Sequence, residues 1–416
     1  MIPLYQLWPP QRPAGARGSR RRSPKALDPA EGFLYNLIVR KTIRFSPLLC
    51  FILAGALAPL FAQQAPSGPA YLLLSHDPAF LERISPISAT VYSSGRTRLV
   101  KLSVPFSELP QEIAAKLRPV PPSEIFNGPA AKGEQKAADP GVLALTSKVD
   151  GRRLMGYAEA ITMTGKRSAG QLDLSAASGN RQAMDYVAGA FRDMGYAVER
   201  QCYKDRKADK ECNIVARRAA RPGAKAILVI GHMDSVGFEN AGADDNASGS
   251  AGVLEMAKVL SLYKSDHDLI FVTANGEENG ISGGYACAKK MKASGELARV
   301  AWAINMDMIS WNKDGIIEIE TNKEFSAHAD WVASLARTYT KLQPYIAMPA
   351  WGSDHVPFLE EGIPTYLSIE HWENHNPCYH KACDKLEALS WDYAADLVRL
   401  NLAVVAGKAG LTPLKP

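Results

Sequence analysis

The chain has 416 residues, with 48 Lys/Arg against 43 Asp/Glu and a formal net charge of +5. Nine of the basic residues and only two of the acidic ones fall within residues 1–44, and subtracting them leaves 39 against 41. The basic balance therefore belongs to the N-terminus, and no nucleic-acid partner is expected from it.

In chain order, the first predicted element is a targeting segment. Arg40, Lys41 and Arg44 precede the apolar run FSPLLCFILAGALAPLFA, and the polar QQAPSG follows, which is the layout of a secretory signal peptide cleaved near Ala62. The run contains Gly55 and Pro59 and is short of the about 20 apolar residues that a membrane span needs. The expectation is a secreted or periplasmic protein with no stable membrane association after signal cleavage, an uncleaved anchor being the alternative. Cys50 lies inside the run without a small residue before it, which argues against a lipoprotein. Residues 1–38 are Arg/Pro-rich and oddly placed ahead of a signal. Residues 1–62 are therefore read as an extension upstream of the true start codon followed by the signal peptide. Cleavage leaves 354 residues, enough for one large or two smaller domains.

Residues 63–140 offer the strand-like AYLLLS, ATVYSS and TRLVKLSVPF, the helix-like ELPQEIAAKL and Pro-rich breaks. NGPAAKGEQKAADPG then reads as a linker, since it has no apolar periodicity. A small α+β N-terminal domain or propeptide is expected here. From residue 141 to 416, β-type runs alternate with helical patterns. RQAMDYVAGAFRDMG carries Met184, Val187, Phe191 and Met194 at helical spacing, with Gly195 as its stop. NIVARR, KAILVIGH, DLIFVTANGEE, VAWAINMDM and IIEIET read as strands, and GSAGVLEMAKVLSLY as a helix. This alternation predicts an α/β three-layer sandwich, with a central mixed, largely parallel sheet and helices on both faces. In an oxidising compartment the short pairs Cys202/Cys212 and Cys378/Cys383 are expected to be disulfides. Cys287 is expected to be a buried small residue.

In open α/β sheets, ligands gather outside the carboxyl ends of the strands. His232 and Asp234 end the strand-like AILVIG, Glu277 and Glu278 follow LIFVTANG, and Asp307 ends AWAINM. A strand-end carboxylate on its own is more often a cap or a solvated turn residue. The joint occurrence of three clusters, with GADDNASG ahead of a helix and NPCYHKACDKLE further on, points instead to a metal site. Zinc takes imidazole nitrogen and carboxylate oxygen, and a catalytic site keeps a position for water. Two ions a few ångströms apart need a carboxylate that gives one oxygen to each. The adjacent pair Glu277–Glu278 is informative because successive side chains of a non-helical loop point apart, so that one can bind metal while its neighbour handles protons.

The series GHMDS, GADDNASG, NGEENGISGG, INMDMIS, GSDHVPF and YHKACD, in that order over about residues 142–411, resembles the M28 zinc aminopeptidases, the family of the secreted bacterial leucyl aminopeptidases. Residue by residue, the resemblance implies that His232, Asp245 and Asp307 hold one zinc, while Glu278 and His380 hold a second with Asp245 bridging the two. It implies Glu277 as general base and acid, and Asp234 as the acceptor that fixes the tautomer of His232. It also implies a cis Asp245–Asn246 peptide and a supporting turn role for Asp244. Tyr379 stands where some relatives place a tyrosine that helps to hold the developing oxyanion. Asp354 is read as supporting the site, and His355 as structural or substrate-facing. His328, His371 and His375 are read as satisfied surface or core histidines. Asn275 and Gly284 depart from the usual pattern and are expected to reshape the substrate pocket.

The implied activity is removal of N-terminal residues from peptides with a free N-terminus by a monomeric di-zinc enzyme, through a zinc-bound hydroxide and a glutamate base. Rival readings are a glutaminyl cyclase-like single-zinc acyltransferase, a carboxypeptidase of the same family, and a non-catalytic binding protein on the same scaffold. The glycine-rich GEENGISGG is closer to the aminopeptidases than to the cyclases, and no implied ligand is missing.

Overall fold

The computed structural model describes residues 69–73, 78–94, 97–131, 137–168, 178–204, 211–239 and 241–414. The signal-peptide reading of residues 1–62 lies outside them. Among the described residues no helix is long and apolar enough to cross a membrane.

The first sheet is antiparallel and built from β1 (Ala70–Leu73), β2 (Ser88–Ser94), β3 (Thr97–Leu102) and β4 (Leu117–Pro119), in the order β2-β3-β1-β4. Side chains alternate across a strand, and here that alternation separates two contacts. Tyr71, Leu73, Val100 and Leu102 pack with Phe80, Ile84 and Ile113 from the short helices Pro78–Ile84 and Gln111–Ala114. Ala70, Leu72 and Leu99 face the other way, towards Val120 and Trp351.

The large sheet comprises β5 (Phe126–Pro129), β6 (Ala197–Tyr203), β7 (Glu211–Arg218), β8 (Ala226–His232), β10 (Asp268–Ala274), β11 (Val300–Met306), β12 (Ile316–Glu320), β13 (Gln343–Met348) and β14 (Thr365–Glu370). A separate ribbon pairs β9 (Tyr263–Lys264) with β15 (Thr412–Pro413). The large sheet runs β5-β13-β12-β14-β11-β8-β10-β7-β6, and its central run of β10, β8, β11 and β14 is parallel. β5 opens the segment read as a linker and joins the edge antiparallel to β13, a place where Pro129 is tolerated because an edge strand has one unpaired side.

The parallel centre follows from strands that are apolar on both sides. Ala226, Leu228 and Ile230 of β8 point to one core, and Ile227 and Val229 to the other. In β10, Leu269 and Phe271 alternate likewise with Ile270 and Val272. One face is covered by the helices Gly151–Thr162, Gly179–Asp193, Gly249–Leu260, Ser326–Tyr339 and Trp391–Ala409, which contribute Leu154, Val187, Leu254, Val332 and Leu397. The opposite face is covered by Ser282–Ala293 and Val356–Glu360, which contribute Met291 and Phe358. Burying one such Leu or Phe stabilises by roughly 1.5–3 kcal/mol, and the result is a three-layer α/β sandwich. Both short cysteine pairs are disulfides, Cys202–Cys212 between the paired strands β6 and β7 and Cys378–Cys383 in a loop. Cys287 is buried, and its burial pushes the thiol up to about 12.

Candidate metal and catalytic site

β10, β8 and β11 lie side by side and end together. β8 delivers His232 as its last residue, Asp307 directly follows β11, and Glu277 and Glu278 follow β10 in a loop. The segment Ala243–Ser248 crosses in front of β8 as one wide turn, broken at Asp245 (φ −105°, ψ 89°) and Asn246 (φ −138°, ψ 50°), and the Asp245–Asn246 peptide is cis. Two glycines make this path possible. Gly242 adopts φ +74°, and a Cβ on Gly249 would lie 2.2 Å from the Met306 carbonyl oxygen. Asn246 then stitches the turn to β11, donating from Nδ2 to the Met306 oxygen and accepting at Oδ1 from the backbone of Gly249 and Met308.

Two donor sets result, and they share one residue. His232 Nε2 lies 3.3 Å from Asp307 Oδ1 and 3.5 Å from Asp245 Oδ1. His380 Nε2 lies 3.1 Å from Asp245 Oδ2 and 3.0 Å from Glu278 Oε2. Each set of three keeps its ligand atoms within 4.8 Å of one another, and Asp245 turns one oxygen to each. Glu277 stands outside both sets, with its Oε2 4.0 Å from His232 Nε2. All five residues implied as ligands are therefore brought together, with Glu277 beside them.

Two aspartates hold the backbone of the loops that carry these groups. Asp234 accepts from the consecutive N–H groups of Glu277 (3.3 Å) and Glu278 (3.2 Å), while His232 Nδ1 lies 3.5 Å from its Oδ1 and 3.2 Å from its carbonyl oxygen. Asp384 does the same for the bridging turn, accepting from the N–H groups of Asp244 and Asp245, each at 3.0 Å. Asp244 points away from the donor sets. Its carboxylate accepts from the Ser310 N–H at 2.9 Å and from Asn376 Nδ2 at 3.2 Å. Behind the loops, the fully buried guanidinium of Arg167 donates to the carbonyls of Met233, Ala241 and Gly242. Burial lowers Arg167 to about 10 against the pull of Asp384 and Asp234, so it stays cationic. Sequence reasoning assigned no role to Asp384, Asn376 or Arg167. Asp384 lay within the YHKACD motif, but only the folded loop reveals what it accepts from.

Of the other candidates, Tyr379 stacks on the His380 ring at 3.8 Å between centroids and lines the cavity. Asp354 is fully buried against Gly284, where a Cβ would lie 2.6 Å from its Oδ1. His355 is buried with its Nε2 3.1 Å from Glu320 Oε1, which is a structural contact. His371 pairs with Asp314, His375 Nδ1 lies 2.7 Å from the Trp372 carbonyl oxygen, and His328 packs edge-on against Trp302. Asn275 is turned away from the cavity and exchanges hydrogen bonds with the amide of Asn180.

The electrostatics favour a cation. Burial pushes Glu277 well above the usual carboxylate range, with neighbouring Asp307 and Glu278 adding to the shift, and pushes Glu278 up to about 7. Burial disfavours the charged form of His380, yet its hydrogen bonds with Asp245 and Glu278 outweigh this and raise it to about 10. His232 Nε2 and Glu278 Oε1 are buried without a hydrogen-bond partner. Zinc bonds of about 2.0–2.1 Å at tetrahedral angles put ligand atoms about 3.3 Å apart, close to the 3.0–3.5 Å between each imidazole and its two carboxylates. The residues present therefore fit zinc, each set offering it one histidine and two carboxylates.

Residues 213–405 match the family model of Peptidase family M28. A 185-residue stretch is 32% identical to Aminopeptidase YwaD of Bacillus subtilis (strain 168), covering 41% of this chain and 39% of that protein. The chain spans about half the length, or less, of the first curated relatives it matches. Among solved structures, an aminopeptidase from Aneurinibacillus sp. strain AM-1 superposes with a TM-score of 0.54 at 18% identity, over 66% of this chain and 97% of that one. A glutaminyl cyclase of Porphyromonas gingivalis superposes with a TM-score of 0.50 at 18% identity, over 63% and 99%. At these identities the two structures share the fold.

Proposed function

From the match of residues 213–405 to Peptidase family M28, we propose that the chain is a secreted or periplasmic di-zinc aminopeptidase that removes N-terminal residues from peptides. The observation that carries this reading is the pair of three-residue donor sets meeting at Asp245, with Glu277 next to them and in neither. His232, Asp245 and Asp307 would hold one ion, and Asp245, Glu278 and His380 the other. Zinc bound there would supply Lewis-acid polarisation of the scissile carbonyl and would lower the pKa of water towards about 7.

The remaining work falls to this chain's own side chains. Glu277 faces the cavity with its backbone N–H anchored on Asp234, so its carboxylate can accept a proton from the attacking water and return it to the departing amine. Asp234 keeps an N–H on Nδ1 of His232 and so leaves Nε2 unprotonated to serve as a ligand. Tyr379, stacked on His380, is the candidate donor to the developing oxyanion. The two disulfides support an oxidising compartment.

The glutaminyl cyclase reading has the shared fold in its favour, but it needs one zinc, whereas two donor sets are present. The test combines metal analysis with assays on a leucine anilide and on a peptide with N-terminal glutamine. Two zincs per chain with anilide turnover are expected, and one zinc with cyclisation would overturn the proposal. Replacing Glu277 with alanine should abolish turnover and leave the zinc content intact. Retained activity in that variant would exclude Glu277 as the base.

A further inference from the structure

Asn213 is fully buried in β7 and takes no part in the chemistry above, yet its side chain holds the loop of Glu277 and Glu278 at two separate points. It lies one residue before Ile214, the partner of Thr273 near the end of β10. Strand alternation puts it with Val215 on the face of β7 that the helix Ser282–Ala293 covers. Its Oδ1 accepts from the Asn275 N–H at 3.0 Å, where the loop begins, and its Nδ2 donates to the Gly283 carbonyl at 2.9 Å, where the loop ends. A third contact, from Nδ2 to Gln201 Oε1 at 3.2 Å, ties the amide to β6. One side chain can do this because an amide carries an acceptor and a donor side by side. Glycine at 283 lets the two loop ends meet: a Cβ there would lie 2.3 Å from the Asn275 carbonyl oxygen and 2.7 Å from Asn213 Oδ1. Between its ends the loop closes on itself, the Gly276 carbonyl accepting from the N–H groups of Asn279 at 3.3 Å and Ser282 at 2.9 Å. Asp234, which follows β8, holds the middle through the N–H groups of Glu277 and Glu278. β8 and β7 flank β10 on either side, so the loop leaving β10 is gripped at its middle from one neighbour and at both ends from the other.

We propose that Asn213 is a positioning residue: by clamping both ends of residues 275–283, it sets where the carboxylates of Glu277 and Glu278 stand before a metal binds. Zinc then binds without first having to order the loop. The clamp acts on zinc affinity through Glu278 and on proton transfer through Glu277, and both of those roles rest on the aminopeptidase reading.

The test compares Asn213→Ala with Asn401→Ala in the full-length protein. Asn401 is equally buried, in the helix Trp391–Ala409, and accepts from the hydroxyls of Tyr366 and Ser368, so its loss reports what a missing buried amide does to stability alone. Both variants should lower the urea midpoint. Only Asn213→Ala should weaken zinc, by about 10–100-fold in one step of a titration against a chromophoric chelator, the scale for groups that orient ligands. At saturating zinc its kcat on a leucine anilide should fall by about tenfold or more, because a small misplacement of a reacting group is costly, with KM little changed. Wild-type zinc affinity or wild-type kcat in Asn213→Ala overturns the proposal, and so does an equal loss of zinc affinity in Asn401→Ala. Should Asn213→Ala fail to fold, hydrogen exchange in the chelated wild type decides. The Asn275 N–H, whose acceptor is Asn213, should then exchange about a hundred times more slowly than an open amide, and exchange at the open rate overturns the proposal. If the wild type cleaves no anilide, the aminopeptidase reading itself has failed, and zinc affinity alone decides the clamp: a loss confined to Asn213→Ala supports it, and an unchanged value overturns it.

Discussion

Replacing Asp384 with asparagine should loosen the bridging turn without touching any ligand. Asp384 is 2% exposed, and its oxygens accept from the N–H groups of Asp244 and Asp245 at 3.0 Å each and from Asn376 Nδ2 at 3.2 Å. An asparagine of the same shape offers one acceptor oxygen and sets an amide donor against the other N–H. A hydrogen bond to a charged acceptor contributes about 1.5–3 kcal/mol, and a buried unpaired N–H costs about 1–3 kcal/mol. The two overlap, so the loss in stability should be about 2–4 kcal/mol. Burial and neighbouring Asp244 push Asp384 up to about 7, so the comparison belongs at pH 8, where the carboxylate is ionised. Because one lost contact holds the backbone of Asp245, zinc affinity should also fall by about 10–100-fold, as it does when groups that orient ligands are removed. Urea unfolding of the chelated protein gives the first number, and zinc titration against a chromophoric chelator gives the second. If stability falls while zinc affinity stays at the wild-type value, Asp384 does not position the bridging carboxylate. If neither changes, the pair of hydrogen bonds is not formed in solution.

The two aspartates of the GADDNASG turn should separate by metal content: Asp245→Ala should lose both zincs, while Asp244→Ala keeps at least one, read by elemental analysis after gel filtration. Gly249→Ala should destabilise by about 1–3 kcal/mol or more, since its Cβ would meet a backbone oxygen at 2.2 Å, and the thermal midpoint checks this. Replacing Cys378 and Cys383 together by serine opens a short loop next to His380. The cost should be roughly 2 kcal/mol, with a larger loss of affinity for the second zinc than for the first in a stepwise titration.

Much of the fold was readable because its centre is chemically plain. β8, β10 and β11 are largely apolar runs that end at His232, Ala274 and Met306, so both their type and their shared edge could be inferred, and the three polar clusters at their ends followed. β5 was not readable. Phe126–Pro129 holds Gly128 and Pro129 in a four-residue strand, and local propensity favours a linker there. What makes it a strand is pairing with Tyr345–Met348, 216 to 222 residues later. Asn275 misled for a related reason. It follows β10 directly, and in the fold its amide is held by Asn180 of the helix Gly179–Asp193 and by the carboxylate of Glu211 on β7.

The site itself shows where sequence reasoning stops. Asp234, Asp244, Asp245 and Asp384 are the same side chain, all nearly or fully buried, yet they fall into three different roles. What separates them is which donors come within reach. Asp234 and Asp384 each meet two successive backbone N–H groups, and accepting from those aims the loops. Asp244 meets the N–H of Ser310 and the amide of Asn376. Asp245 alone among them faces two imidazoles and further carboxylates. A carboxylate surrounded by donors is stabilised where it stands, and one surrounded by other acceptors is stabilised only by a cation. Of these four, the ligand is therefore the aspartate whose carboxylate the backbone N–H groups do not reach, while Asp384, distant in sequence, holds the same turn from behind.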